Sequence, residues 1–313
     1  MRLDDYDAGD DIRDLGRGGG GGFGGGFGGG GGFGGGGLGT ILSILPMLFG
    51  RRLGCGGILL IMLLAFVLLN SGILNVGNIP GGVTPQNEAS SGANVACDTA
   101  EERFACNVFG STHQVWGAVF QAEGQQYRRP TLNFFSQQNQ SGCGVAQSAM
   151  GPFYCPADQG VYLDTDFFRE LTQRFGAAGD AAQAYVIAHE VGHHIQTLTG
   201  VSDQVRQAQA RGGEAAGNAI QVRMELQADC YAGVWANRAR TRDGQPVMEA
   251  GDLEEALRAA NAIGDDTLMR GAGQRPVPES FTHGTSEQRM RWLQRGYESG
   301  NPAQCDTFRA ANL

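Results

Sequence analysis

The chain has 313 residues, 52 of them glycine, and its 32 acidic against 23 basic residues give a net charge of −9. The arginines are scattered, so there is no basic stripe to neutralise phosphates, which argues against a nucleic-acid partner. Many of the glycines fall before residue 58, so the part able to build a core is shorter than the chain and starts near residue 97.

Residues 1–17 are Asp-rich and polar, and residues 18–37 read GGGGGFGGGFGGGGGFGGGG, with too little apolar surface to offset the entropy of ordering glycine. We expect residues 1–50 to form a disordered cytoplasmic tail, in which Phe23, Phe27 and Phe33 are incidental to a linker or act as stickers for a partner. Residues 38–49 are apolar but short and broken by Pro46, which suits an interfacial segment. From Leu53 to Val76 no residue is charged across 24 positions, and about 20 apolar residues suffice for a helix to cross a bilayer. This predicts a single transmembrane anchor within residues 51–76.

Arg51 and Arg52 precede that run and no Lys or Arg follows until Arg103. The positive-inside rule then sets the N-terminus in the cytoplasm and the large domain in the periplasm or outside the cell. A cleaved signal peptide would lie closer to the N-terminus, and twin-arginine or lipoprotein signals fit the order of segments less well. Residues 77–96, rich in Gly, Pro, Asn and Ser, read as a linker. Six of the seven cysteines follow it, an even number that suits an oxidising compartment. Of the connectivities six cysteines allow, we expect Cys97–Cys106 and Cys143–Cys155 as local loops and Cys230–Cys305 as a long tie; the alternative is that some are buried thiols.

In residues 97–313 the pattern predicts a helix over 112–123, a strand over 130–136, a loop over 142–154, a strand over 160–164 and a short helix over 166–175. Asp180 as N-cap with Gln183 at N3, and Gly200 as terminator, predict a largely buried helix over 181–199. Further helices are expected over 218–240, over 253–263 with Asp252 as cap, and from a Thr285/Gln288 capping box to about Gly296. The fold class is α+β, mainly helical with a small antiparallel sheet.

The segment AHEVGHHIQ, residues 188–196, holds three of the chain's five histidines. On a helix, positions four apart differ by about 40° around the axis, so His189 and His193 project from one face and can share a cation. Glu190 stands beside the pair. This is the HExxH arrangement, two zinc ligands with a carboxylate next to the water that zinc activates. The neighbours are apolar, and buried histidines and a buried glutamate need partners, which a metal supplies; the alternative is a polar helix face with incidental histidines. His194 sits about 100° round from His193 and reads as a packing or hydrogen-bonding residue.

A catalytic zinc needs a third protein ligand and an open fourth position. In RMELQADCYAG, Glu225 and Asp229 are four apart and share a face among Met224, Leu226, Ala228 and Tyr231. Glu225 as ligand, with Asp229 accepting the free ring N–H of a zinc-bound histidine, accounts for both carboxylates. An exposed acidic pair near Arg223 is the alternative.

HEVGH followed by a helix carrying ELQAD resembles the gluzincin metallopeptidases, whose third zinc ligand is the glutamate of an ExxxD element. More narrowly, GPFYCPADQGVYLD, AYVIAHEVGHHIQ, MELQADCYAGVWA and FTHGTSEQRMRWLQRGYESG together resemble the bacterial neutral zinc metallopeptidase family, over roughly residues 100–310 and without the Gly-Phe tail. The resemblance implies a single-pass membrane protein with a gluzincin-like domain and peptidase chemistry on a peptide or protein substrate. It identifies no particular substrate.

On this reading one zinc ion per chain is held by His189, His193 and Glu225. Glu190 is the general base that takes a proton from the attacking water and returns it to the leaving nitrogen. The oxyanion needs a further donor, for which His283 is the candidate, ahead of Arg289 and Tyr231; alternatively His283 is a loop residue packing before Thr285. His113 is read as structural, and residues 130–136 are nominated as the edge strand that holds peptide. Two other functions stay open: a non-catalytic, zinc-stabilised membrane scaffold whose tail recruits cytoplasmic partners, and a zinc hydrolase of a non-peptide amide such as a cell-wall bond. A structural zinc would have a fourth protein ligand and no use for Glu190. Nothing in the sequence fixes the oligomeric state.

Overall fold

A computed structural model describes residues 1–3, 6, 9, 11–17, 96–173 and 176–313. The glycine tract, the expected interfacial segment, the expected anchor at 51–76 and the linker up to residue 95 lie outside the described residues. Among the described residues no helix is long and apolar enough to cross a membrane.

The elements in chain order are β1 (Ile12–Arg17), α1 (Ala100–Ala122), β2 (Thr131–Ser136), β3 (Gln138–Ser141), β4 (Gly144–Gln147), β5 (Phe153–Cys155), β6 (Gly160–Leu163) and α2 (Asp166–Gln173). Next come α3 (Asp180–Leu198), α4 (Val201–Arg211), α5 (Glu214–Arg238), α6 (Asp252–Ala262), α7 (Asp265–Gly271) and α8 (Ser286–Ser299). Helices dominate, as expected, but the sheet differs from the expectation of an antiparallel one. Its order is β1-β2-β6-β5, with β1 and β6 both parallel to β2 and only β5 antiparallel to its neighbour. The remaining pair, β3 and β4, is an antiparallel hairpin. Strand β4 and most of β5 fall in the stretch expected as a loop, where Gly- and Ser-rich composition conceals short strands whose partners, β3 and β6, lie just outside it.

The first residues also correct an expectation. Instead of belonging to a disordered tail, Ile12–Arg17 pairs with β2 from Ile12 opposite Leu132 to Arg17 opposite Ser136. Leu3 is 2% exposed within the main core, and the backbone N–H of Arg2 donates to the Val247 carbonyl. These residues belong to the same compact unit as the domain beyond the apolar run. An Asp-rich composition carries no sign of this, because the partner strand lies more than 100 positions away. With β1 on one side and β6 on the other, β2 is a central strand and has no free edge for a peptide. The edge on the far side is β5.

The helical layer is built around α3, which packs on α1, α5 and α6, while α5 packs on α8. Helix α1 starts twelve residues earlier than expected, capped by Thr99, whose side chain accepts from the Glu102 N–H. The capping box of α8 is present as read from Thr285 and Gln288. Helices α3 and α6 begin one residue earlier than expected, after Gly179 and Gly251, so Asp180 and Asp252 lie in the first turn and not at the cap. The three expected disulfides, Cys97–Cys106, Cys143–Cys155 and Cys230–Cys305, are all formed. The second ties the β3–β4 turn to β5, and the third ties α5 to the C-terminal segment.

The crossing of α3 over α5 is unusually close. A Cβ added to Gly192 of α3 would lie 3.1 Å from both the Cα and the carbonyl oxygen of Ala228 in α5. An alanine there would require α5 to give way by a few tenths of an ångström.

Candidate metal centre

The close crossing of α3 and α5 brings the HExxH turn against Glu225 and Asp229. The Nε2 atoms of His189 and His193 lie 3.2 and 3.4 Å from Glu225 Oε2. The three residues offer ligand atoms that all lie within 4.8 Å of one another, and no fourth His, Cys, Asp or Glu joins this group among the described residues. Both rings are oriented from behind. His189 Nδ1 is 2.8 Å from Asp229 Oδ1, and His193 Nδ1 is 2.8 Å from Gln196 Oε1. Since both of these partners are acceptors, each Nδ1 carries hydrogen, and each Nε2 turns its remaining position toward a carboxylate. That leaves nitrogen lone pairs facing an anionic oxygen, an arrangement that is stable only with positive charge between them.

The charge balance tells the same story. Burial opposes a charge on His189, yet Asp229 and Glu225 raise its ring to about 10, and Glu225 raises His193 against the same penalty. Burial also opposes charge on Glu225, and the two rings nevertheless hold its carboxyl well below the usual range. A cluster that favours cation on its nitrogens and anion on its oxygen fits a divalent metal with an N,N,O donor set, and zinc suits that set.

Behind the ligands lies a support that the sequence only partly revealed. Asp229 is fully buried and accepts from Tyr185 Oη at 2.6 Å, from Arg289 Nε at 3.0 Å and from Arg289 Nη2 at 2.9 Å, besides His189. Burial would raise its carboxyl, but Arg289 and His189 bring it down to about 2. Arg289 spends its remaining hydrogen bonds on the Tyr185 hydroxyl and the Ile263 carbonyl. Together these bonds engage four of the five N–H groups of Arg289, two of them on Asp229, while the side chain also lines the cavity. The Tyr231 ring packs edge-on against Trp116 and does not line the cavity. Gln196 donates to the Met224 carbonyl and to Gln227, and Gln221 donates to Glu225 Oε1 at 2.8 Å. Tyr185 and Gln196 lie four before His189 and three after His193, so polar groups at helical spacing on a buried face were the available signal.

The centre opens on a cavity of about 790 Å³. Glu190 lines it and is 8% exposed, and burial raises its carboxyl above the ordinary value against the pull of both histidines. The segment 148–154, which includes the first two residues of edge strand β5, lines one part of the cavity. His283 also lines it, half exposed, with its ring Nδ1 held by Thr282 Oγ1 at 3.0 Å and Asp265 Oδ1 at 3.3 Å. His194 is fully buried, turned from the ligands and held neutral by burial, its ring brought down to about 4. His113 is buried between Phe109 and Tyr127, in keeping with a structural role.

Comparison with known proteins agrees with this chemistry. A family described as "Putative neutral zinc metallopeptidase" matches residues 1–308, a span that includes the N-terminal strand. The chain is similar to "Uncharacterized protein YpfJ" of Escherichia coli K12, with 46% identity over 260 residues, covering 83% of this chain and 89% of that protein. It is also similar to "Uncharacterized protein Rv2575" of Mycobacterium tuberculosis H37Rv and "Uncharacterized protein Mb2605" of Mycobacterium bovis. Each is 43% identical over 256 residues, covering 76% of this chain and 85% of the relative. No solved structure matches the chain.

Proposed function

Because the chain belongs to this neutral zinc metallopeptidase family, we propose that it is a membrane-associated zinc endopeptidase, with one zinc ion held by His189, His193 and Glu225. The observation that carries this reading is the convergence of those three side chains, with no fourth ligand among the described residues, on a cavity that Glu190 also lines. An open fourth position beside a buried carboxylate is what catalysis needs and a purely structural zinc does not.

When bound, zinc would supply Lewis acidity to the peptide carbonyl and lower the pKa of a water to about 7. The chain's own groups handle the proton, the oxyanion and the peptide. Glu190 takes the proton of the attacking water as the new C–O bond forms, and passes it to the nitrogen as the C–N bond breaks. Burial, which raises the Glu190 carboxyl, suits it to hold that proton between the two events. His283, whose Nδ1 is held by Thr282 and Asp265, lines the cavity and serves as the donor to the carbonyl oxygen. Peptide lies extended along β5, the sheet edge that borders the cavity.

We also place the domain in an oxidising space outside the cytoplasm, on the strength of its three disulfides. The apolar run 53–76 serves as the membrane attachment, and residues 1–17 share the domain's side because they share its sheet.

The test uses the full-length chain, since residues 1–17 are part of the fold. Zinc is counted, and wild type is compared with Glu190→Gln on a peptide library and on peptidoglycan fragments. Cleavage of peptides that requires Glu190 is the expected result. Stoichiometric zinc with no Glu190-dependent cleavage of any peptide would sink the peptidase reading.

A further inference from the structure

Adjacent residues of α3 face different tasks. His193 turns Nε2 toward Glu225, whereas the fully buried His194 turns its ring toward β5 and toward the segment that leads into β2. His194 Nε2 is 2.7 Å from the Arg128 carbonyl oxygen. A carbonyl only accepts, so this nitrogen carries the hydrogen, and Nδ1 is left as an acceptor. The Tyr154 hydroxyl fills that role as donor, at 3.1 Å, and its ring stands edge-on to the imidazole with centroids 5.5 Å apart.

Tyr154 is the middle residue of β5. On one side it pairs with Val161 of β6, and it also lines the cavity that holds Glu190 and the ligands. Strand β5 has only three residues, and its other fixed point is the Cys143–Cys155 disulfide. So short a strand has few ladder hydrogen bonds with which to hold its distance from the helix. The His194 ring spans that distance, and it does so from the residue next to a metal ligand.

We propose that His194 is a positioning residue of the same site: through Tyr154 it fixes the peptide-holding edge β5 at a set distance from His193 and Glu190. This rests on the peptidase reading for its kinetic consequence, but not for its structural one. Rotation or retreat of β5 would misplace bound peptide relative to Glu190 while leaving the ligands where they are, so the cost falls on peptide binding and on the choice of scissile bond.

The experiment compares full-length wild type with Tyr154→Phe, His194→Ala, His194→Asn and the Tyr154→Phe/His194→Ala double variant. Three readouts are taken: hydrogen exchange at residues 153–155, zinc content, and kinetics on an internally quenched peptide cleaved by wild type but not by Glu190→Gln. Tyr154→Phe keeps the ring and loses the hydroxyl, which meets Thr197 as well as His194. It should raise exchange in β5 several-fold, leave zinc content at the wild-type level, and raise KM about five-fold with kcat changed by less than about two-fold. His194→Ala should do the same or more, and the double variant should be no worse than His194→Ala. His194→Asn, which can return an acceptor to Tyr154, should recover part of the loss.

Unchanged β5 exchange in Tyr154→Phe and His194→Ala would overturn the proposal whether or not the protein cleaves peptides. Loss of zinc from Tyr154→Phe would overturn it too, by making the pair part of the metal site. So would additive effects in the double variant, which would mean that Tyr154 acts on peptide by itself. If no peptide is cleaved by wild type, the peptidase reading fails, and the exchange result alone still decides the role of His194.

Discussion

Asp229 accepts the Nδ1 hydrogen of His189 at 2.8 Å, and the same carboxylate is gripped by Arg289 through two nitrogens at 2.9 and 3.0 Å. The proposed zinc ligand, its orienting carboxylate and the counter-charge of that carboxylate thus come from three different helices, α3, α5 and α8.

Two variants separate these roles. Asp229→Asn keeps the shape but weakens the hold on the His189 tautomer, and should reduce zinc affinity by about 10- to 100-fold, read by competition with a chelator. Arg289→Met removes the counter-charge and leaves the buried Asp229 with only Tyr185 and His189 as partners. It should lower stability by about 3–5 kcal/mol in denaturant unfolding. An Arg289→Met protein as stable as wild type would show that Tyr185 and His189 suffice for Asp229.

Gly192 lies between His189 and His193 of α3 and against the backbone of Ala228. Gly192→Ala should separate α3 from α5 by a few tenths of an ångström and cost about 1–3 kcal/mol, with a parallel loss of zinc affinity, because His189 and His193 would retreat from Glu225. Because the closest contacts are to the Ala228 Cα and carbonyl oxygen, Ala228→Gly should not rescue it. Full rescue by Ala228→Gly would place the clash in the side chain instead.

Strand β1 requires residues 1–17 to share the domain's compartment. In spheroplasts, a membrane-impermeant maleimide should label Arg13→Cys and Arg206→Cys alike, both being exposed positions. Labelling of Arg206→Cys with protection of Arg13→Cys would restore the single-pass arrangement read from Arg51 and Arg52, at the expense of the β1–β2 pairing.

Asp265 organises the loop that presents His283. One of its oxygens accepts from the backbone N–H groups of Thr282 and His283 at 2.7 Å and of Gly284 at 3.1 Å. Burial works against its charge, but the bonds from His283 outweigh burial and depress the carboxyl below its usual value. A depressed folded-state carboxyl stabilises the fold above the unfolded-state pKa, near 3.9, and that stabilisation is lost as pH falls through the lower folded-state value. Between pH 5 and a pH below that folded-state value the amides of residues 282–284 should lose exchange protection ahead of α3, and Asp265→Asn should show the same loss at pH 7. Equal protection at both pH values would remove Asp265 from this role.

The histidines and carboxylates of the site were legible in the sequence because each signal is local: HExxH and ExxxD are spacings within single helices, and the Thr285 capping box spans four residues. The three cysteine pairs were legible too. Tyr185, Gln196 and the grip of Arg289 on Asp229 were not, although each sits at helical spacing or on a helix that the sequence located. A polar side chain on a buried face announces a need for a partner without saying which partner arrives.

What the sequence determined by itself, then, is chemistry carried by residues close along the chain: the donor set, the base beside it, and the helices that bear them. Only the tertiary structure decided what depends on segments meeting across the chain. It made the sheet mixed, gave β2 a neighbour from the first residues and so left β1 and β5 as the edges, and set α3 against α5 at Gly192. The physical reason is that helical periodicity is written into consecutive residues, whereas a strand's partner and a helix's crossing distance are settled by packing between segments that composition and spacing do not connect.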